Sequence, residues 1–357
     1  MLCKAPFLGV TIDPSGWIQL CCATNNRQYF NKKITDIDDL NDFFLSSFYD
    51  KIRSDMKSQG LGSIKQCESC WGSLNGEWTE ADNYNMKEYS EPLKIRYLEV
   101  TTSNICNQTC VTCSSYFSSK WRKIEPYFGR ESFPSFYLDN DSIDKILKVL
   151  PDLHYLQIKG GEPFADKNNL KILKELAKVN PECRVIITSN FQHIPDKWYE
   201  VLSHLKNIQA AASIDGINEI YDWIRGGKFQ DTLETMEKFY RITNAPIVIN
   251  VCVSIYNLFT LHDIKNYFEN KEYVSCIIFN NIVHYPKHLS ISILKKSDII
   301  SAVGVMDESF KNIRLIECDS PVDPRLSKGF MDHTNIMNNL RGSNIFDLQP
   351  QLADIFK

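Results

Sequence analysis

The chain contains no run of about 18 apolar residues, so it offers no candidate membrane span. It also lacks a charge bias: a net charge of -4 and a pI near 6.0 leave no whole-chain electrostatic footprint for nucleic acid. No internal repeat or low-complexity tract stands out. The seven histidines are scattered without metal-ligand spacing and read as surface or packing residues, with His284 and Tyr285, just after the sixth strand candidate, as minor candidates for touching substrate. The opening "MLCKAPFLGVTIDPSG" lacks a signal-peptide pattern, because its apolar run is broken by Asp13 and Pro14. The expected location is therefore the cytoplasm, where thiols are kept reduced.

What is present is an ordinary globular composition, 43% hydrophobic and 24% charged over 357 residues, enough to bury a core without covalent staples. Twelve cysteines are thus in excess of any need for cross-links, and their patterned spacing points to metal or cluster chemistry.

The chain divides into three parts, 1–91, 92–306 and 307–357. The first holds five of the cysteines, two extended runs around a Pro-Ser-Gly turn, and a helical pattern in "LNDFFLSSFYDKIRSDMKSQ". The second alternates strand candidates at 95–101, 154–159, 183–189, 208–214, 246–254 and 275–281 with amphipathic stretches such as "DSIDKILKVL" and "TLETMEKFYRI". This predicts an α/β fold, a partial (β/α)6 TIM-like barrel with chemistry at the carboxyl ends of its strands, preceded by a small Cys-rich module. The third part is weakly patterned and receives no role. Cys183, Cys252, Cys276 and Cys318 read as buried small apolar residues, with a barrel-interior position the alternative for Cys252 and Cys276, and Trp121 within "KWRK" reads as part of a partly exposed helix.

The first barrel strand runs directly into "CNQTCVTC", with Cys106, Cys110 and Cys113. A structural zinc site wants four closed ligands. A four-iron cluster held by three thiolates instead keeps one iron open to a non-protein ligand.

This CxxxCxxC spacing resembles the signature of the radical S-adenosylmethionine (radical SAM) superfamily, and later segments resemble it in order. "KGGEP" supplies Gly160, Gly161, Glu162 and Pro163, which the resemblance places at the amino group of SAM. "TSN" supplies Ser189 and Asn190; "SIDG" supplies Ser213 and Asp215, matching contacts to ribose and the methionyl part. Arg225 in "IRGG" resembles the arginine that reaches the SAM carboxylate, a group its planar fork suits. Ser254 and Asn257 in "VSIYN", with Val253, are further pocket candidates. Thr112 stands where many relatives carry an aromatic residue, leaving Tyr116 or Phe117 to supply an adenine contact. The resemblance covers about Leu93 to Ser290.

Cys3, Gly16 and Cys21 resemble the opening of SPASM and twitch modules, and "CESC" adds Cys67 and Cys70. The resemblance implies a second, auxiliary 4Fe-4S cluster, relaying electrons if four thiolates close it and open to substrate if only three do; zinc remains the alternative. Cys22 adjoins Cys21 and either is a ligand, the glycine spacing favouring Cys21. The implied activity is cleavage of SAM at a reduced 4Fe-4S cluster to a 5'-deoxyadenosyl radical, which abstracts hydrogen from a peptide, nucleotide or small metabolite. An electron donor such as flavodoxin or ferredoxin is the implied partner. Methyl transfer is disfavoured by the lack of a cobalamin-binding pattern. The rival reading is a non-catalytic iron-sulfur or zinc protein on a barrel scaffold.

Overall fold

The computed structural model describes residues 3–21, 31–60, 64, 67, 92–318 and 323–356. Its strands are β1 (Gly9–Ile12), β2 (Ile18–Gln19), β3 (Tyr97–Val100), β4 (Tyr155–Ile158), β5 (Arg184–Ser189), β6 (Asn207–Ser213), β7 (Ile247–Val253) and β8 (Val274–Ile282). They run in the order β2-β1-β3-β4-β5-β6-β7-β8, a sheet not closed on itself. The fold is α/β as expected, and the six expected strands from residue 95 onward appear as β3 to β8 within two residues of their expected limits. None of the helices among the described residues is long and apolar enough to cross a membrane.

The chain forms two compact units. The first comprises Met1–Ile105, Ser135–Ile187 and Pro195–Ile208. Here β1 runs parallel to β3 and antiparallel to β2, so the amino-terminal hairpin extends the sheet. Alternation sorts the two faces. Val10, Leu98, Leu156 and Val185 form one registered row and Ile12, Val100, Ile158 and Ile187 the next, all fully buried. The helices Asn140–Val149, Lys167–Val179 and Asp196–Leu202 bury their own apolar stripes, including Ile143, Leu173 and Trp198. Two of these helices start at acidic N-caps: Asp139 accepts from the Ser142 amide and Asp166 from the Asn168 amide, each at 2.8 Å.

The opposite face is polar, which the sequence reading missed. Tyr97 and Tyr155 stack at 4.9 Å, the Tyr97 hydroxyl reaches Glu99 Oε2 and Gln157 Oε1 at 3.1 Å each, and Lys159 Nζ lies 2.7 Å from Glu99 Oε1. Thr11 shares this face by register with Glu99. Cys21 and Ala5 pack against the tyrosine pair, with Cys3 alongside.

The helical pattern of residues 40–59 is split into Leu40–Phe44 and Ser47–Gln59. Ser46 breaks it: its hydroxyl bonds back to the Phe43 carbonyl at 2.6 Å and its backbone is extended.

The second unit comprises Cys106–Pro134, Thr188–Ile194 and Gln209–Lys357. β6, β7 and β8 are parallel, with irregular register between β7 and β8 near Asn250 and Cys252. β8 ends the strand order and only Phe279 of its nine residues is buried, so Cys276 is exposed instead of buried as expected. The tail that sequence left unassigned contains an 18-residue helix, Pro324–Arg341, opened by Asp323 and ended by Gly342 in a left-handed conformation (φ 66°).

Candidate functional site

In the first unit, β4 delivers Gly160, Gly161, Glu162 and Pro163 into a tight turn. Gly160 has φ +142°, and a Cβ on Gly161 would fall 2.1 Å from the Ile105 carbonyl oxygen. Only glycine permits this approach, which lets the Gly161 and Glu162 amides donate to the Ser103 and Ile105 carbonyls at 3.3 and 2.7 Å. The turn therefore holds the residue bonded to Cys106. Glu162 is buried and its carboxylate accepts from the Phe164 amide at 3.1 Å.

In the second unit, Cys106, Cys110 and Cys113 lie on a loop without regular secondary structure, closed by the Cys113 amide donating to the Cys110 carbonyl at 3.0 Å. Cys106 Sγ accepts from the Gln108 amide at 3.5 Å and lies 4.0 Å from Asn190 Nδ2. Burial pushes the Cys110 thiol up, only partly offset by the Arg225 guanidinium. Cys113 is pushed well above the ordinary thiol range by burial and then by the charges of Cys110 and Cys106. With the charges of both other cysteines opposing its ionisation, Cys113 needs a cationic centre to be held as a thiolate, and three thiol donors fit an iron-sulfur cluster. Among the described residues no three Cys, His, Asp or Glu side chains converge as one ion would require. A cluster takes each thiolate on a different iron and so accommodates spread ligands.

Beside the trio stands a buried charge pair. Arg225 ends the helix Asn218–Arg225, and its Nη1 donates to Asp215 Oδ2 at 2.8 Å. Burial opposes the Arg225 charge, yet Cys110 and Asp215 outweigh it and raise its pKa. Asp215 Oδ1 accepts from the Cys252 amide at 2.7 Å, so both carboxylate oxygens are engaged. Asn257 ties the neighbouring strand ends together: Nδ2 donates to the Asp215 and Cys252 carbonyls, and Oδ1 accepts from the Ser254 amide. Arg225 Nε is buried with no hydrogen-bond partner, a cationic donor left over after Asp215 is satisfied.

Ser189 and Asn190 end β5 in two side-chain-to-backbone turns, accepting from the Phe191 and Gln192 amides at 2.9 Å each, and Asn190 Nδ2 also donates to Asn107 Oδ1 at 2.7 Å. Phe191 consequently adopts φ +53°. Ser213 is partly exposed at the end of β6. Tyr116 packs edge-on against Phe117 at 4.8 Å and Phe133 at 5.3 Å.

Several residues of this neighbourhood escaped the sequence reading. Cys252, taken for a packing residue, lies near Asp215; burial and then that carboxylate push its thiol up to about 12, while a hydrogen bond with Thr112 opposes the rise. Trp121 is fully buried in a short 3-10 turn, not partly exposed, and its Nε1 donates to the Cys110 carbonyl at 2.9 Å. Of the amino-terminal quartet, Cys21 and Cys67 are buried and Cys3 is partly exposed, while Cys70, with the alternative Cys22, lies outside the described residues.

Residues 100–265 match the family model of the Radical SAM superfamily. Among curated proteins, the GTP 3',8-cyclase of Desulforamulus reducens is 24% identical over 177 residues, 48% of this chain and 48% of that protein. The sporulation killing factor maturation protein SkfB of Bacillus subtilis is 27% identical over 166 residues, 45% of this chain and 37% of its own. The chain thus spans less than half the length of these curated relatives. Among solved structures, native anSMEcpe with bound AdoMet has a TM-score of 0.42 at 16% identity, covering 70% of this chain and 62% of that one. Streptococcus suis SuiB bound to precursor peptide SuiA has a TM-score of 0.30 at 17% identity, covering 57% and 41%.

Proposed function

We propose, from the match of residues 100–265 to the Radical SAM family model, that the chain is a radical SAM enzyme that cleaves SAM reductively at a 4Fe-4S cluster held by Cys106, Cys110 and Cys113 and takes hydrogen from a peptide substrate. The observation that carries this reading is the buried Arg225 guanidinium close to Cys110, with Nε unused. A carboxylate is the ligand such a donor suits, and the methionyl end of SAM carries one beside the amino group that would reach the open iron. When bound, the reduced cluster supplies the electron that splits the sulfonium bond and leaves a carbon radical able to take a hydrogen atom. The chain's own contribution is orientation. Asp215 fixes Arg225, and Asn257 with Ser254 fixes Asp215. Asn190 aims its amide N–H at Cys106 Sγ. By motif resemblance, Gly160, Gly161, Glu162, Pro163, Ser189 and Ser213 are proposed as further contacts to SAM.

A peptide is favoured over a nucleotide triphosphate on charge. On the polar sheet face of the first unit, Lys159 is matched by Glu99 and Arg184 lies over the Tyr155 ring at 5.7 Å, so the two cations are engaged separately and do not form a cluster. Such a face suits amide groups better than clustered phosphates. SkfB is named as a maturation protein for a killing factor, which supports the same direction. The nucleotide reading has the GTP 3',8-cyclase relatives behind it. Cys3, Cys21, Cys67 and Cys70 are proposed to hold an auxiliary cluster in the 1–91 module, with 92–306 as the catalytic core.

Anaerobically reconstituted, dithionite-reduced protein is expected to release 5'-deoxyadenosine from SAM, and the triple Cys106/Cys110/Cys113→Ala variant is expected to release none. Equal release by both would overturn the assignment. Deuterium transfer from labelled peptide into 5'-deoxyadenosine tests the substrate class; transfer from labelled nucleotide alone would replace it.

A further inference from the structure

The three carbonyls at the centre of the cysteine loop are each met by a side chain from elsewhere in the second unit. Arg341 Nη2 donates to the Thr109 carbonyl at 2.6 Å and Nη1 to Thr109 Oγ1 at 2.8 Å. Trp121 Nε1 donates to the Cys110 carbonyl at 2.9 Å. His333 Nε2 lies 3.1 Å from the Val111 carbonyl and, since a carbonyl only accepts, must carry the hydrogen. Its Nδ1 is then the acceptor facing His288 Nε2 at 3.4 Å, which fixes one neutral tautomer of His333.

A loop that spaces three cysteines cannot satisfy its own backbone through a ladder, so its polar groups need outside partners. Two of the three donors, His333 and Arg341, belong to the helix Pro324–Arg341, more than 220 residues from the loop. The seat for Arg341 is shaped for it. Its remaining donor, Nε, reaches the Trp223 carbonyl at 2.7 Å, so each guanidinium nitrogen is used. Gly226 leaves the necessary room: a Cβ there would fall 2.7 Å from Arg341 Nη2 and 2.6 Å from Thr109 Oγ1. The helix is held independently of the loop through Phe330, packed among Tyr256, Phe346 and Phe356, and through Thr334 bonded to the Tyr256 hydroxyl at 2.9 Å.

We propose that the carboxyl-terminal helix is a clamp on the cysteine loop, with Arg341 and His333 as positioning residues that hold Cys110 and Cys113 in the spacing an iron-sulfur cluster needs. The proposal rests on the reading of the trio as cluster ligands. Removing either donor frees a loop carbonyl and lets the two cysteines drift, so the cluster is lost more readily while the rest of the fold stands.

The test uses the full chain, reconstituted anaerobically, and follows how fast a ferrous chelator strips the iron that depends on the trio, taken as the difference from the triple Cys106/Cys110/Cys113→Ala variant. Arg341→Met and His333→Phe are expected to speed stripping by about tenfold or more, the scale of one lost charge-assisted or buried hydrogen bond. Arg341→Lys, which keeps one donor, is expected to recover part of the loss. Phe330→Ala, on the same helix, is expected to lower the melting temperature without changing the stripping rate, and exposed Lys328→Ala is expected to change neither. Wild-type rates in Arg341→Met and His333→Phe would overturn the clamp, as would an equal acceleration in Phe330→Ala. A wild-type chain with no trio-dependent iron would instead overturn the cluster reading beneath it.

Discussion

Breaking the Arg225–Asp215 pair separates what that pair does for stability from what Arg225 does for a ligand. Both side chains are almost fully buried, at 10% and 2% exposed, and meet at 2.8 Å. Asp215→Asn removes the charge but retains an oxygen for the Cys252 amide, leaving Arg225 as an unmatched buried cation. Arg225→Met leaves Asp215 an unmatched buried anion. Each single change is expected to cost about 3–5 kcal/mol, the usual consequence of stranding one member of a buried pair. The double variant strands neither charge, so its cost is expected to be smaller than either single one, with a coupling of at least about 2 kcal/mol. Urea unfolding of the four metal-free proteins measures this cycle. SAM binding to the reconstituted proteins should follow a different rule: lost in both variants lacking Arg225, and weakened in Asp215→Asn in proportion to how far Arg225 is misdirected. A double variant as unstable as the sum of the singles would refute the pair as a self-contained buried unit. Undiminished SAM binding in Arg225→Met would remove the guanidinium from the ligand site.

Gly161→Ala places a methyl 2.1 Å from the Ile105 carbonyl, so the turn or the loop start must shift; a loss of about 1–3 kcal/mol in denaturant unfolding and lower trio-dependent iron are expected. Glu99→Gln removes the partner of a lysine that is one-third exposed, and the expected stability loss is about 1–2 kcal/mol, read by urea unfolding of the metal-free chain. His333 is held down to about 3 by burial, then by His288 and Arg130, so in the folded state it stays neutral while the unfolded chain protonates it near 6.5. The unfolded state binds the extra proton, hence stability falls as pH drops from 6.5 toward about 3, and the metal-free wild type should show a slope up to about 1.4 kcal/mol per pH unit steeper than His333→Phe across that window.

The strands were legible because their signal is local: alternating or continuous apolar runs bounded by Gly, Pro and Asn, as in "IRYLEVT" and "CRVIITS". The cysteine spacing and the "KGGEP" and "SIDG" segments are likewise properties of a few adjacent residues, and they carried the family resemblance. The helix Pro324–Arg341 did have local signals, an Asp-Pro start, a Gly stop and Phe330, Thr334 and Met337 at helical spacing. Its stripe was obscured because His333 and Thr334, two of its buried positions, are polar.

Sequence by itself therefore carried the fold class and the resemblance to a superfamily, including its spacing of three cysteines, since each is written in short-range patterns. The tertiary structure decided which groups meet: Asp215 with Arg225, Thr112 with Cys252, Lys159 with Glu99, and Arg341 and His333 with the loop that carries the cysteines. Those pairings depend on where the chain returns in space. A buried donor seeks whichever carbonyl lies in reach, and separation along the sequence does not record which one that is.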